Sequence, residues 1–573
     1  MNLTSGFHAP PPLWAAAGSA DTRVSARTRA RASVLVMAIL PESRRVGRCE
    51  PRLSDVPGLL SSDDTCQAGG RGRRGLGAAG GRRDAACATG PGGLSSRPQR
   101  CPGLEMTMSA DVKGLAVSTS SSEALAAYER GVDLFLRWRT GALEALDAAA
   151  QADPRFALPH CTRAYIAWRL GRADVATAAG RQAVALADDA RHERERRHVD
   201  AVEAMLRGDH AAAHDILRRL ADDQPRDRIA VRLAGLNCIT QGDYRAGIDI
   251  ARRSLEADPG EPQYQTMLGF FLEQSGDNEA GLEMSRRSLA QDPTNLYTYH
   301  AVGHAYQARG DYGGALQTFE RAVSLERYPH LVWHLAEAQA ILGHERLTRD
   351  YWASKNPPLP LHERIDLLWR LEVVRGRRTD DATWRALAGE ADRALEHPDV
   401  QTTWMHHWYG VAFARAGERD KARRQVERLR RLPEGRAGGY WSTLGASLLE
   451  GELALVEGDL AAGLGLMAPA VERIHALGGG SREQKDIFCD VFMELHRRLG
   501  HVDEVIALAQ ARLLANPCHV PSLAALAWAY DKRGDAALHR HACRQLAVRA
   551  EEIGVAVDAP ELVAARQVLQ APV

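Results

Sequence analysis

Four histidines stand in two pairs with one spacing. His300 and His304 are separated by four residues, and His330 and His334 repeat that interval thirty residues later. On an α-helix, i and i+4 side chains lie one above the other, so each pair would present two imidazoles from a single face. Neutral imidazoles in that arrangement are good ligands for transition metals. His300, His304 and His334 are therefore the candidate metal ligands. Trp333 beside His334, and the run Trp404 to Tyr409 with His407 at its centre, add aromatic and imidazole side chains. The bland alternative is that His300, His304, Trp333, His334, Trp404 and His407 form the wall of a groove that takes a peptide or another ligand, or that they pack as core. Signatures of other chemistries are missing: there is no GxxxxGK[ST], no GxSxG and no HExxH, and His192-Glu193, His344-Glu345 and His362-Glu363 each lack the second His.

A second candidate is Gly478-Gly479-Gly480-Ser481-Arg482-Glu483-Gln484-Lys485-Asp486. Ser481 is placed to cap a helix, with Gln484 completing a capping box. Glycine-rich backbone ahead of a helix N-terminus, with Arg482 and Lys485 close by, can hold an anion. The competing reading is a long inter-repeat loop ended by an ordinary cap.

The elements that must position these residues follow from a repeat. Gly208, Gly242, Gly276 and Gly310 fall at intervals of 34 residues, each followed by Asp, and Pro225, Pro259 and Pro293 lie midway between them. That period is the mark of tetratricopeptide helix pairs. In the clearest unit, Tyr299, Val302, Gly303 and Tyr306 form one helical stripe and Ala315, Leu316, Phe319, Ala322 and Val323 another. No pair can bury its stripe alone, so pairs must stack. The expectation is an all-α solenoid of about eleven helix pairs, in an N-terminal array over residues 118–356 and a more divergent, continuous array over 357–573. In such stacks the first helix of each pair lines the concave side, which places the histidine pairs there.

Residues 1–117 read differently. The first 105 residues hold 15 Arg, no Lys and 8 acidic residues, are rich in Gly, Ala and Pro, and show no sustained apolar period. They are expected to be a disordered segment or the product of an overlong start, with Met106 or Met108 as alternative initiators. The chain as a whole has a formal net charge of zero and nine cysteines without CxxC pairs. That balance offers no basic stripe for nucleic acid, the longest apolar run is too short to span a membrane, and the cysteine usage suits a reducing, cytoplasmic compartment.

Three segments resemble the tetratricopeptide repeat protein 38 family. His300-Ala-Val-Gly-His304 is similar to its H-T-V-A-H helix, with Gln307 where an acidic residue is usual. Trp333-His334-Leu335 is similar to its W-H-W segment. Leu477 to Phe488 is similar to its L-G-G-S-x-A-Q-R-D-V-F, with one additional Gly. The resemblance spans Ser120 to about Arg549 and implies an all-helical array with no established catalytic activity. The function expected is a non-catalytic scaffold that binds a protein or peptide in its concave groove, with no cofactor. The alternative is an enzyme or enzyme subunit that uses the histidines with a transition metal or a small cofactor.

Overall fold

The computed structural model describes residues 109–356, 358–373, 375–396 and 403–571. The expectations for residues 1–108 lie outside them. All the described residues belong to one compact unit.

The Gly-Asp repeat is a double punctuation mark. Gly310 takes φ +80°, a left-handed conformation that only glycine adopts without steric cost, and ends one helix. Asp311 then caps the next, its carboxylate accepting from the Gly314 N–H at 2.8 Å. Asp209, Asp243 and Asp277 cap the same way. Twelve helix pairs follow one another among the described residues. The first four are α1 (Ser122–Leu136) with α2 (Ala142–Ala152), α3 (Ala157–Arg169) with α4 (Ala173–Ala185), α5 (Glu193–Leu206) with α6 (His210–Asp223), and α7 (Arg228–Gln241) with α8 (Tyr244–Ala257). Next come α9 (Pro262–Gln274) with α10 (Asn278–Gln291), α11 (Leu296–Ala308) with α12 (Tyr312–Leu325), α13 (Pro329–Ile341) with α14 (Glu345–Trp352), and α15 (Leu361–Val373) with α16 (Asp381–Ala394). The last four are α17 (Thr403–Arg415) with α18 (Arg419–Arg430), α19 (Ala446–Val456) with α20 (Leu460–Val471), α21 (Arg482–Arg498) with α22 (Val502–Ala515), and α23 (Val520–Arg533) with α24 (Ala536–Ile553). α25 (Pro560–Gln570) closes the series. The described residues hold twelve pairs where the sequence pattern suggests about eleven.

The two helices of a pair are buried differently. α12 buries one stripe, Tyr312, Ala315, Phe319 and Ala322. α11 is buried almost all round, including His300 and His304. A helix covered on every side is sandwiched between neighbours, and here the extra cover comes from distant repeats packed across the interior.

Three tertiary clasps provide that cover. The turn after α1 meets the start of α11, with the Leu296 N–H donating to the Arg137 carbonyl at 3.2 Å. The Gly478–Ser481 insertion lies on the end of α7, where the Gly479 N–H donates to the Ile239 carbonyl at 2.9 Å. A Cβ on Gly478 would meet the Thr240 carbonyl oxygen at 1.9 Å, so the insertion needs a residue without one. Near the C-terminus the Ala556 N–H donates to the Leu342 carbonyl at 2.9 Å.

Candidate metal centre

α11 and α13 are first helices of adjacent pairs, and their i, i+4 histidines face each other. The Nε2 atoms of all four rings converge. His300 to His304 is 2.9 Å, His304 to His334 3.1 Å, His334 to His330 3.3 Å and His330 to His300 3.2 Å. Four nitrogens about 2.05 Å from a tetrahedral zinc would stand about 3.3 Å apart; the four sides of the ring come near that separation, and His300, His304 and His334 offer ligand atoms that all lie within 4.8 Å of one another. His304 and His334 are fully buried, while His330 keeps 22% of its side chain exposed and forms the solvent edge.

Carboxylates stand behind the rings. Glu483, from the first turn of α21, accepts a hydrogen bond from Nδ1 of His304, and Glu363 on α15 accepts one from Nδ1 of His330. Glu337 lies 3.4 Å from Nδ1 of His334, an electrostatic contact and not a hydrogen bond. A carboxylate that accepts Nδ1–H fixes the tautomer, leaves a lone pair on Nε2 and raises its basicity, the usual second layer of a histidine–metal site. Nδ1 of His300 is buried without a partner.

The electrostatics favour the neutral form of His300 and His334. Burial lowers the pKa values of His300 and His334 well below the ordinary imidazole value, and the neighbouring imidazoles lower them further. Burial raises Glu337 to about 8, against the pull of Arg370. Glu483 is held low despite its burial by His304 and by hydrogen bonding, whereas Glu273 beside it is pushed well above the carboxylate range by burial and by the Glu483 charge. Without a metal, the ring can be satisfied only if His300 and His334 carry Nε2–H, which leaves two buried Nδ1 lone pairs unmatched.

The remaining sequence candidates lie elsewhere. Trp333 is fully buried and stacks on His330 at 5.8 Å. Trp404 and His407 sit in a separate aromatic cluster with Trp408, Trp441 and Phe488. His407 has neither ring nitrogen hydrogen-bonded, and burial pushes its pKa down to about 3. All six residues assigned to a groove wall are buried, so a peptide lying in the groove could not rest directly on them.

Several donors of the anion candidate are engaged within the fold. Ser481 and Gln484 form the expected capping box. The Arg482 N–H donates to Gln274 Oε1 at 2.7 Å, and Lys485, fully buried, donates to the Tyr244 hydroxyl at 2.7 Å and the Leu477 carbonyl at 2.9 Å. The insertion clasps two parts of the chain, and the Arg482 backbone N–H and the Lys485 ammonium are engaged in that clasp. In doing so it delivers Glu483 to His304.

The sequence reading placed the spacing of His330 but left it out of the site, and missed Glu483, Glu363 and Glu337. The signals were present in part: Glu483 lies inside the insertion, and Glu363 follows His362 in a dipeptide set aside for lacking a second His.

The tetratricopeptide-repeat family model matches residues 296–328, which span α11 and α12. The described helices form a tetratricopeptide-type solenoid. No curated protein matches the chain. Among solved structures it is similar to a chain of the APC/C hetero-tetramer Cut9–Hcn1, at 13% identity and TM-score 0.39 over 78% of this chain and 75% of that one. It is also similar to the human IFIT1 dimer with m7Gppp-AAAA, at 13% identity and TM-score 0.36 over 78% and 97%. MamA matches at 15% identity and TM-score 0.23 over 26% and 90%. These are likenesses of repeat type, too distant to bear on ligand or partner. No described helix is long and apolar enough to cross a membrane.

Proposed function

We propose that this chain is a metal-binding repeat protein in which His300, His304, His330 and His334 hold one divalent transition-metal ion between adjacent helix pairs. One observation carries the reading: four Nε2 atoms meet at 2.9–3.3 Å while two of the rings donate Nδ1–H to buried carboxylates. An all-imidazole set suits zinc, copper, nickel or iron(II) and disfavours magnesium and calcium. Elemental mass spectrometry of untagged protein is the test. One equivalent of metal, lost in His300→Ala/His304→Ala, is expected; less than about a tenth of an equivalent, with none taken up on dialysis against Zn²⁺, would overturn it.

The repeat class supports a second, compatible reading, in which the solenoid is a scaffold for a protein or peptide and the metal pins the repeats that present its concave surface. Affinity to the tetratricopeptide repeat protein 38 family belongs with these proposals. Its support is the sequence itself: two of the three resembling segments contribute His304 and Glu483, and the third contributes His334.

A further inference from the structure

A cavity of about 200 Å³ lies between the middle and the C-terminal repeats, walled by parts of α11, α13, α15, α21 and α22 and by the segment that leads into α23. Ala340, Ile341, Ile487 and Pro521 give it an apolar side, and Leu514, 58% exposed, stands at its rim. Glu337 and Glu483 separate it from the histidine ring. None of the four histidines of that ring lines it, so it is a space of its own.

The polar side of the cavity holds charges and hydrogen-bonding groups that the fold leaves unspent. Arg482 and Asp486 stand one turn apart on α21, and both line it. Opposite charges at i, i+4 ordinarily meet, yet these two form no ion pair with each other. Among the described residues the Arg482 guanidinium has neither an ion pair nor a hydrogen bond. The one basic group within 4.0 Å of Asp486 there is Nε2 of His475, at 3.9 Å. Buried groups stand around them. Arg512, 7% exposed, reaches Asp490 at 2.8 Å and His519 at 3.0 Å through Nη2, while its Nε has no partner. Gln307 donates to Glu337 at 3.3 Å and leaves its buried Oε1 unmatched. Nη2 of Arg375 and Nδ1 of His475 are likewise buried without partners. All of these residues line the same cavity.

Buried polar groups without partners call for one, and here donors and acceptors occur together. The guanidinium donors of Arg482 and Arg512 suit a carboxylate, whereas Asp486 and the Gln307 carbonyl suit an ammonium group. A simple anion would leave the acceptors unmet, and a simple cation the donors. Side chains one turn apart, with Cβ atoms about 5–6 Å from each other, are bridged by two charges that sit close together, as on a single carbon. Size sets the rest. A cavity of about 150 Å³ holds benzene, so this one takes a somewhat larger molecule, with an apolar part for Ile341 and Ile487. We propose that the cavity binds a free α-amino acid with an apolar side chain, its carboxylate on Arg482 and Arg512 and its ammonium group on Asp486 and Gln307. This site does not rest on the metal reading, and the two are tested apart.

Calorimetric titration of the untagged full chain, as purified, tests this with L-leucine and L-phenylalanine. Each is compared with the analogue that lacks its amine (4-methylpentanoate, 3-phenylpropanoate) and the one that lacks its carboxylate (3-methylbutan-1-amine, 2-phenylethylamine). At least one amino acid is expected to bind in the millimolar range or tighter, and both of its analogues at least tenfold more weakly. Arg482→Gln and Asp486→Asn should each weaken the amino acid at least fivefold. Failure of both amino acids to bind overturns the proposal. So does an analogue that binds within twofold of its parent, which would make the cavity a plain anion or cation site, and so does affinity left within twofold by both substitutions. Neither substituted side chain is hydrogen-bonded in the fold, and should a variant still fail to fold, the analogues decide alone. A chain that binds the amino acid but takes up no metal sinks the metal reading only. One that holds its metal and binds neither amino acid sinks this site only.

Discussion

His304 is held from both sides, its Nε2 in the ring of imidazoles and its Nδ1 against Glu483. If Glu483 sets the tautomer and basicity of that ligand, Glu483→Gln should weaken metal affinity by about 10- to 100-fold without changing the stoichiometry. Competition with a chromophoric chelator measures this, and an unchanged dissociation constant would make the carboxylate a bystander. The histidine spacing was legible in the sequence because i, i+4 is a property of one helix. Glu483 was not, because it lies 179 positions beyond His304 and the intervening chain carries no local signal of the contact. Lys485, two residues on, gives a pH signature. Burial lowers its pKa from 10.5 to about 7, and the Arg482 charge adds to the effect. Between those values the unfolded chain binds a proton that the folded chain has released, so stability rises with pH across the window. Urea unfolding of metal-free protein at pH 7.5 and 9.5 should show that rise, and Lys485→Met should flatten it.

At the scale of elements, first helices carry the site and second helices support them. The 34-residue register, its Gly-Asp punctuation and the two stripes were all readable, since each depends on residues close in sequence. The burial of the first helices was not, because a repeat pattern predicts an open concave face and says nothing of what folds into it. The glycine insertion shows why. Read locally it is a helix N-terminus with basic neighbours; in the fold its backbone lies on the end of α7. Gly478→Ala would drive a methyl group into the Thr240 carbonyl, and a cost of about 1–3 kcal/mol is expected, in line with overpacking elsewhere. Because α21 begins four residues later, metal affinity should fall together with stability. A variant that lost stability yet kept wild-type affinity would uncouple the clasp from the site.

For the whole molecule, a ligand that binds only the folded state stabilises it by mass action, by about 2.7 kcal/mol at a concentration one hundred times its dissociation constant. Thermal unfolding should therefore shift upward with added Zn²⁺, and His304→Ala should be insensitive. Equal shifts in both proteins would point to binding at other sites. The clasp at Gly478–Gly479 carries one more consequence. Repeat arrays ordinarily lengthen or shorten by whole units, since each unit touches only its neighbours. Here the chain from α7 to α21 must return to within a hydrogen bond of where it started, with the Gly479 N–H on the Ile239 carbonyl. Gaining or losing one helix pair inside that span would carry Glu483 away from His304. The number of repeats between the clasp points is thus fixed by closure, and length variation in related chains is expected only outside them.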